Sequence, residues 1–187
     1  MTMPTRKSDN SHLAEKVWLR IDHSPPGPLS VLDAYGGKGV IWQEVKKHRD
    51  VSKYIAIEKE RGKNNAALCG ENEKLLPILD LSGFNVIDLD AYGIPVEQFE
   101  AVMLNKTMRP NTVIFATCIL AALAPAPYEI GKYIGFSPRT MSKAKHLFNL
   151  RIKELLAAML NKHGFESWTY YEFADDWMNK IYLCCTK

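Results

Sequence analysis

Three short aliphatic runs in this sequence each end on a carboxylate: VLD at 31–33, YIAIE at 54–58 and VIDLD at 86–90. Short aliphatic runs of this length suit buried strands, although Asp88 interrupts the third. The segments between them have helical spacing, and strands alternating with helices predict parallel βαβ units in an α/β, doubly wound sheet. Ligands in such sheets bind outside the carboxyl ends of the strands, where Asp33, Glu58 and Asp90 fall.

The rest of the chain extends that pattern. Strands are expected at 29–35, 53–58, 65–69, 84–90 and 111–120, with two more at 165–173 and 180–186. The last two are joined by residues 174–179, which suits an antiparallel hairpin. Helices are expected at 12–21 with Ser11 as cap, at 40–49, at 72–79, and at 95–106 with Pro95 at the first position. One long helix is expected to be capped by Ser137, opened by Pro138 and stopped after His163 by Gly164. Residues 1–10 are polar and expected to be loose. Residues 11–28 form an N-terminal helix and linker, ended by the two prolines of DHSPPGP. Residues 29–187 complete a single domain, in keeping with a chain of 187 residues.

Composition excludes some classes. A net charge of +3 allows mild attraction to phosphates, but it is far from that of a dedicated DNA-coating protein and is equally an ordinary solubility charge. The four cysteines, Cys69, Cys118, Cys184 and Cys185, form no CxxC pair and have no histidine at ligand spacing, so no metal site is expected. They read as free, buried thiols of a cytoplasmic protein, with Cys184 and Cys185 on opposite faces of their strand. The N-terminus has no apolar core of a signal peptide. The most apolar run, 112–127, is too short for a bilayer and is broken by Pro125 and Pro127, so no membrane partner is expected.

The chemistry begins at VLDAYGGKG, 31–39. A strand ends in Asp33, a glycine turn follows, and the next helix presents free N–H groups. Gly37 and Gly39 let backbone approach a ligand without a Cβ in the way. A plain glycine-rich turn is the alternative, and a nicotinamide site is disfavoured because the third glycine of G-x-G-x-x-G would fall on Trp42. The stretch resembles the cofactor motif of class I S-adenosylmethionine-dependent methyltransferases, with Tyr35 at that motif's aromatic position and Lys38 at a variable one. The resemblance implies a Rossmann-like, seven-stranded sheet with a terminal antiparallel hairpin, and S-adenosyl-L-methionine as cofactor. Glu58 would accept the ribose hydroxyls, a geometry that nicotinamide enzymes share. Gly70-Glu71 resembles the pair that sets an acidic group near the adenine, although Glu71 also suits a helix start.

DLDAYG, 88–93, resembles the DLDPYG or DLDPFG of the tRNA guanine N2,N2-dimethyltransferase family and, more broadly, the motif of enzymes that modify exocyclic base amines. An arylamine nitrogen has its lone pair tied into the ring. An acceptor for its N–H returns density to nitrogen, and an aromatic face holds the base. The resemblance therefore assigns Asp90 as acceptor and Tyr92 as stacking group, with Asp88 no more than a support for the turn. Ala91 departs from the family's proline, which leaves a second option open: a catalytically degenerate methyltransferase fold that binds nucleic acid or a protein partner.

The expected activity is methylation of an exocyclic base nitrogen, with tRNA or another RNA favoured over DNA. Full-length members of the tRNA family carry a further tRNA-reading domain, which this sequence is expected to lack, so a homodimer or a separate reading partner is the alternative source of substrate contacts. Within the chain, Lys132, Arg139, Lys143 and Lys145 form the densest basic cluster and are the expected phosphate contacts. The segment 129–148 has the look of a helix-turn-helix with Gly135 at the turn, but a capped helix with a basic solvated face is favoured.

Overall fold

A computed structural model of the protein describes residues 12–60, 67–121, 128–143, 151–165, 168–174 and 178–186. Ser11, Lys145 and part of the loop before the last strand lie outside the described residues. Seven strands form one sheet: β1 Leu29–Asp33, β2 Val51–Glu58, β3 Ala67–Cys69, β4 Val86–Asp90, β5 Val113–Ala121, β6 Trp168–Ala174 and β7 Met178–Thr186. Their order is β3-β2-β1-β4-β5-β7-β6. The first five run parallel, and β7 lies antiparallel between β5 and β6, as the resemblance implied. The chain first winds outward from β1 to β3 and then returns to place β4 on the other side of β1. That reversal opens a crevice at the ends of β1 and β4.

Register brings the acidic strand ends together. Asp33 pairs with Asp88 across β1 and β4, and Asp90 pairs with Thr117 across β4 and β5. The alternation of side chains along the strands feeds two cores, one on each face. Leu32, Ile57, Ile87, Leu89, Ile114, Ile181 and Cys185 pack under helices α4 (Val96–Leu104) and α7 (Ile152–Lys162). Leu29, Val31, Val86, Phe115 and Cys184 pack on the other face with Val17 and Leu19 of α1 (Leu13–His23) and Trp42 of α2 (Val40–Val45). Cys184 and Cys185 therefore do face opposite cores. Full burial of an aliphatic or aromatic side chain of this size contributes about 1.5–3 kcal/mol.

Several helices are shorter than their sequence signals. The segment 72–79 is helical only as α3, Asn72–Leu75, because Pro77 has no N–H to continue the ladder. Pro95 is not the first helical residue but the one before it, with φ −82° and ψ 58°. Helix α2 ends at Val45, and the turn after it is held by Arg49, whose guanidinium donates to the carbonyls of Ile21 (2.7 Å) and Pro25 (2.5 Å). The expected single helix from Ser137 to His163 is interrupted. After α5 (Tyr128–Gly131) and a short 3-10 turn, α6 covers Pro138–Lys143, capped by Ser137 as expected. A new helix, α7, starts at Ile152 after Arg151, whose φ −116° and ψ 26° are not helical. Helix α6 folds back on α5 because Gly131 leaves room for Met141: a Cβ there would lie 2.8 Å from Met141 Cγ. Gly164 does end α7, in the left-handed conformation at φ 82°.

Candidate active site

The carboxyl ends of β1 and β4, the glycine turn and the loop after β4 enclose a cleft of about 350 Å³. Asp33, Tyr35, Gly37, Gly39, Asp90 and Tyr92 all line it, so six of the residues singled out in the sequence meet at one place. Gly37 (φ 46°) and Gly39 (φ 68°) adopt a left-handed backbone that other residues rarely take, which explains both glycines. Gly39 N–H donates to Gly36 O at 2.7 Å and closes the turn.

Each carboxylate is held differently. Asp33 is buried, accepting Tyr35 N–H (3.1 Å) on one oxygen and the Tyr54 hydroxyl (2.8 Å) on the other. Burial, followed by the charge of Asp88, pushes its carboxyl up to about 7. Asp88 does far more than support a turn. It accepts two hydrogen bonds from Arg20, Nε at 2.7 Å and Nη2 at 2.6 Å, and a third from Trp42 Nε1 at 2.7 Å. Burial pushes the Asp88 carboxyl up, and Arg20 opposes that shift. Asp90 accepts Lys16 Nζ, 2.8 Å from Oδ1 and 3.2 Å from Oδ2, and the Thr117 hydroxyl also donates to Oδ1.

Lys16 and Arg20 were not anticipated as part of the site, nor were Trp42, Tyr54 and Thr117. For the two cations a signal was present. Leu13, Lys16, Val17 and Arg20 fall at i, i+3, i+4 and i+7, so both cations interrupt the stripe that α1 turns to the core. A buried cation needs a partner, and the carboxylates of VIDLD were available.

The loop after β4 keeps a defined shape without the family's proline. Ala91 N–H donates to Leu89 O (2.8 Å), and Gly93 O accepts Ile119 N–H (2.8 Å) from β5. Ala91 is buried, whereas Tyr92 stands 77% exposed at the rim, free to meet a planar ligand.

A second cleft, of about 370 Å³, lies between the ends of β1, β2 and β3, and Tyr35 lines both clefts. Glu58 and Glu71 line it with Asn72, Glu73 and the apolar Ala34 and Ile57. Glu58 accepts Gly37 N–H on Oε2 (3.0 Å) and Glu60 N–H on Oε1 (3.2 Å). Each oxygen is thereby oriented and keeps acceptor capacity for a further donor. Glu71 also forms ion pairs with Lys74 and with Lys59 (3.1 Å), and hydrogen bonds from these lysines hold its carboxyl down to about 2. Asn72, which drew no attention in the sequence, donates to Ala34 O (3.0 Å) and accepts from Gln98 (3.3 Å).

The basic cluster is divided. Lys132 pairs with Glu100 at 2.5 Å, while Arg139 and Lys143 are exposed on α6. Among the described residues no group of three or more His, Cys, Asp or Glu is arranged to hold a metal, and no helix is long and apolar enough to cross a membrane.

No protein-family model matches the sequence, and no curated protein matches it. Solved structures do match. TYW2 from M. jannaschii, in complex with AdoMet, aligns with TM-score 0.59 and 11% identity over 97% of this chain and 79% of that one. Phosphoethanolamine N-methyltransferase 2 from Haemonchus contortus, in complex with S-adenosyl-L-methionine, aligns with TM-score 0.58 and 10% identity over 92% of this chain and 52% of that one. Precorrin-6y C5,15-methyltransferase from Geobacter metallireducens aligns with TM-score 0.54 and 12% identity over 100% and 93%. At these identities the likeness is one of fold. The chain has the class I methyltransferase fold, and structures sharing it have been solved with S-adenosylmethionine bound. The names of these neighbours span unlike substrates, so the fold leaves the substrate open.

Proposed function

We propose that the protein is an S-adenosylmethionine-dependent methyltransferase acting on an exocyclic amine of a nucleic-acid base, RNA before DNA. One observation carries the proposal: the DLDAYG loop, with Asp90 and Tyr92, opens onto the same cleft as the glycine turn after β1. Cofactor and target would then meet at one point.

The residues present fit the cofactor. Glu58 has two oriented oxygens for the two ribose hydroxyls. Ala34 and Ile57 offer an apolar floor for the adenine, with Glu71, Asn72 and Glu73 at its polar edge. Gly37 and Gly39 admit the amino-acid end toward Asp33. When bound, the cofactor supplies an electrophilic methyl group on a sulfonium. Tyr92 stacks on the target base, and Asp90 accepts an N–H of its amine, raising the electron density on nitrogen and taking the proton that leaves. A base inside a duplex would have to be flipped out or already single-stranded to reach this cleft. Arg139 and Lys143 on α6 are the phosphate contacts of this proposal, with Lys132 and Lys145 beside them in sequence.

The test is incubation with methyl-labelled S-adenosylmethionine and separate pools of tRNA, ribosomal RNA, DNA and protein. Label is expected in an RNA pool, lost in Asp90→Ala, with cofactor binding retained in that variant and lost in Glu58→Gln. Label confined to protein, or no binding of S-adenosylmethionine in calorimetry, would overturn it.

A further inference from the structure

The N-terminal helix contributes a charge to the cleft that the proposed chemistry does not by itself require. We infer that Lys16 determines which amines the site accepts: by compensating Asp90 it admits a neutral N–H donor and turns away a protonated alkylamine. This deepens the base-methylation proposal above and rests on it.

The geometry of Asp90 comes first. Oδ1 accepts the Thr117 hydroxyl and lies 2.8 Å from the Lys16 ammonium. Oδ2 accepts the Lys16 hydrogen bond at 3.2 Å and keeps one acceptor position for a ligand. Asp90 keeps 21% of its side chain exposed, whereas Lys16 keeps only 5%. Both line the cleft, the carboxylate being the more exposed of the two and the ammonium the more fixed.

Lys16 is not a passing surface contact. Its ammonium lies 5.3 Å from the centroid of the Tyr182 ring. Its carbonyl accepts Arg20 Nη1 at 2.9 Å, and Arg20 is itself locked to Asp88. Arg20 compensates Asp88, and Lys16 compensates Asp90. Among the described residues, the carboxyl of the cleft left without a cation of its own is Asp33, which burial pushes up to about 7.

Consider the two kinds of amine at Asp90 Oδ2. A protonated alkylamine would gain attraction to Asp90 but meet the repulsion of Lys16 just beyond that oxygen, which cancels part of the Coulomb gain needed to offset its desolvation. It would also have to lose a proton held with an ordinary pKa of about 10.4 before its nitrogen could attack, to a carboxylate already satisfied by an ammonium. An arylamine is neutral at physiological pH. It needs only an acceptor, and a charge-assisted N–H···O bond to Oδ2 is available to it. Thr117 and Lys16 fix that acceptor in place.

The test compares wild type with Lys16→Gln and Lys16→Arg, with thermal melting to check folding. Two probes are titrated in the presence of S-adenosylhomocysteine: n-butylammonium, and a mixture of adenosine, guanosine and cytidine. Only the binding lost in Asp90→Ala is counted. Wild type is expected to bind a nucleoside and not the ammonium. Lys16→Gln should gain about tenfold or more for the ammonium and lose methyl transfer to single-stranded RNA, while Lys16→Arg keeps the wild-type preference. A merely structural lysine would not exchange one ligand class for the other. Equal binding of the ammonium by wild type and Lys16→Gln overturns the inference. So does wild type preferring the ammonium, an outcome that can be read even if Lys16→Gln does not fold. If wild type binds the cofactor but labels no nucleic acid, the base-methylation proposal fails by itself, and the ammonium titration still decides whether Lys16 filters charge.

Discussion

Asp33 shows how one residue at this cleft couples charge to stability. Burial, with the charge of Asp88 next, raises its carboxyl from an ordinary 3.8 to about 7, against hydrogen bonds from Tyr54 and Tyr35. The folded state therefore holds the proton more tightly than the unfolded chain. By linkage, the stability this group contributes is fully present below the unfolded value and is lost as pH rises through the folded one. Urea midpoints should show it. The difference between wild type and Asp33→Asn should fall from about pH 4 to about pH 7 and be flat above, and a difference that rises over this window would contradict the assignment. The sequence marked Asp33 because it ends an aliphatic run before a glycine turn. It could not show that Tyr54, on the neighbouring strand, would reach back to it, since that contact depends on the parallel register of β1 and β2.

At the scale of elements, helix α1 is tied to β4 by two ion pairs, Lys16–Asp90 and the fully buried Arg20–Asp88. Arg20 and Asp88 are each about 1% exposed at the side chain, and the Trp42 ring nitrogen completes the set from α2. Removing one partner leaves an uncompensated charge in the interior, so Arg20→Met should cost about 3–5 kcal/mol of unfolding free energy. Replacing both, as Arg20→Met with Asp88→Leu, should recover much of that loss, because no buried charge then remains without a partner. Additive losses in chemical denaturation would show that the Arg20–Asp88 pair is not a tie between the elements. The elements themselves were largely legible. Apolar runs marked the seven strands to within a few residues, most plainly the central β1, β4 and β5, which are buried on both faces. Helix ends were less legible, since they depend on tertiary contacts. Arg49 holds the turn after α2 through carbonyls 24 and 28 residues away, and α6 turns back where Met141 finds the space above Gly131. Pro77 marks the end of α3 in the sequence itself.

At the scale of the whole molecule, the two clefts lie side by side along the carboxyl edge of the sheet as a candidate groove, with Tyr35 lining both. A ligand spanning both would bridge β1, β2, β3 and β4, the strands on either side of the point where the winding reverses. The glycine turn marks this groove in the sequence, while the cations that α1 sets against Asp88 and Asp90 depend on how that helix packs on the sheet. A ligand that binds only the folded chain stabilises it by mass action, about 2.7 kcal/mol at a concentration one hundred times the dissociation constant. For a domain of this size each kcal/mol moves the melting temperature by about 2–4 °C. Saturating S-adenosylhomocysteine should therefore raise the melting temperature by about 5–10 °C in differential scanning calorimetry. Glu58→Gln should remove most of that rise while leaving the unliganded melting temperature nearly unchanged, because Glu58 is partly exposed and its amide replacement can still accept the Gly37 N–H. A full shift in the variant would mean that the second cleft does not hold the nucleoside, and the groove would then have to be filled from the Asp33 end alone.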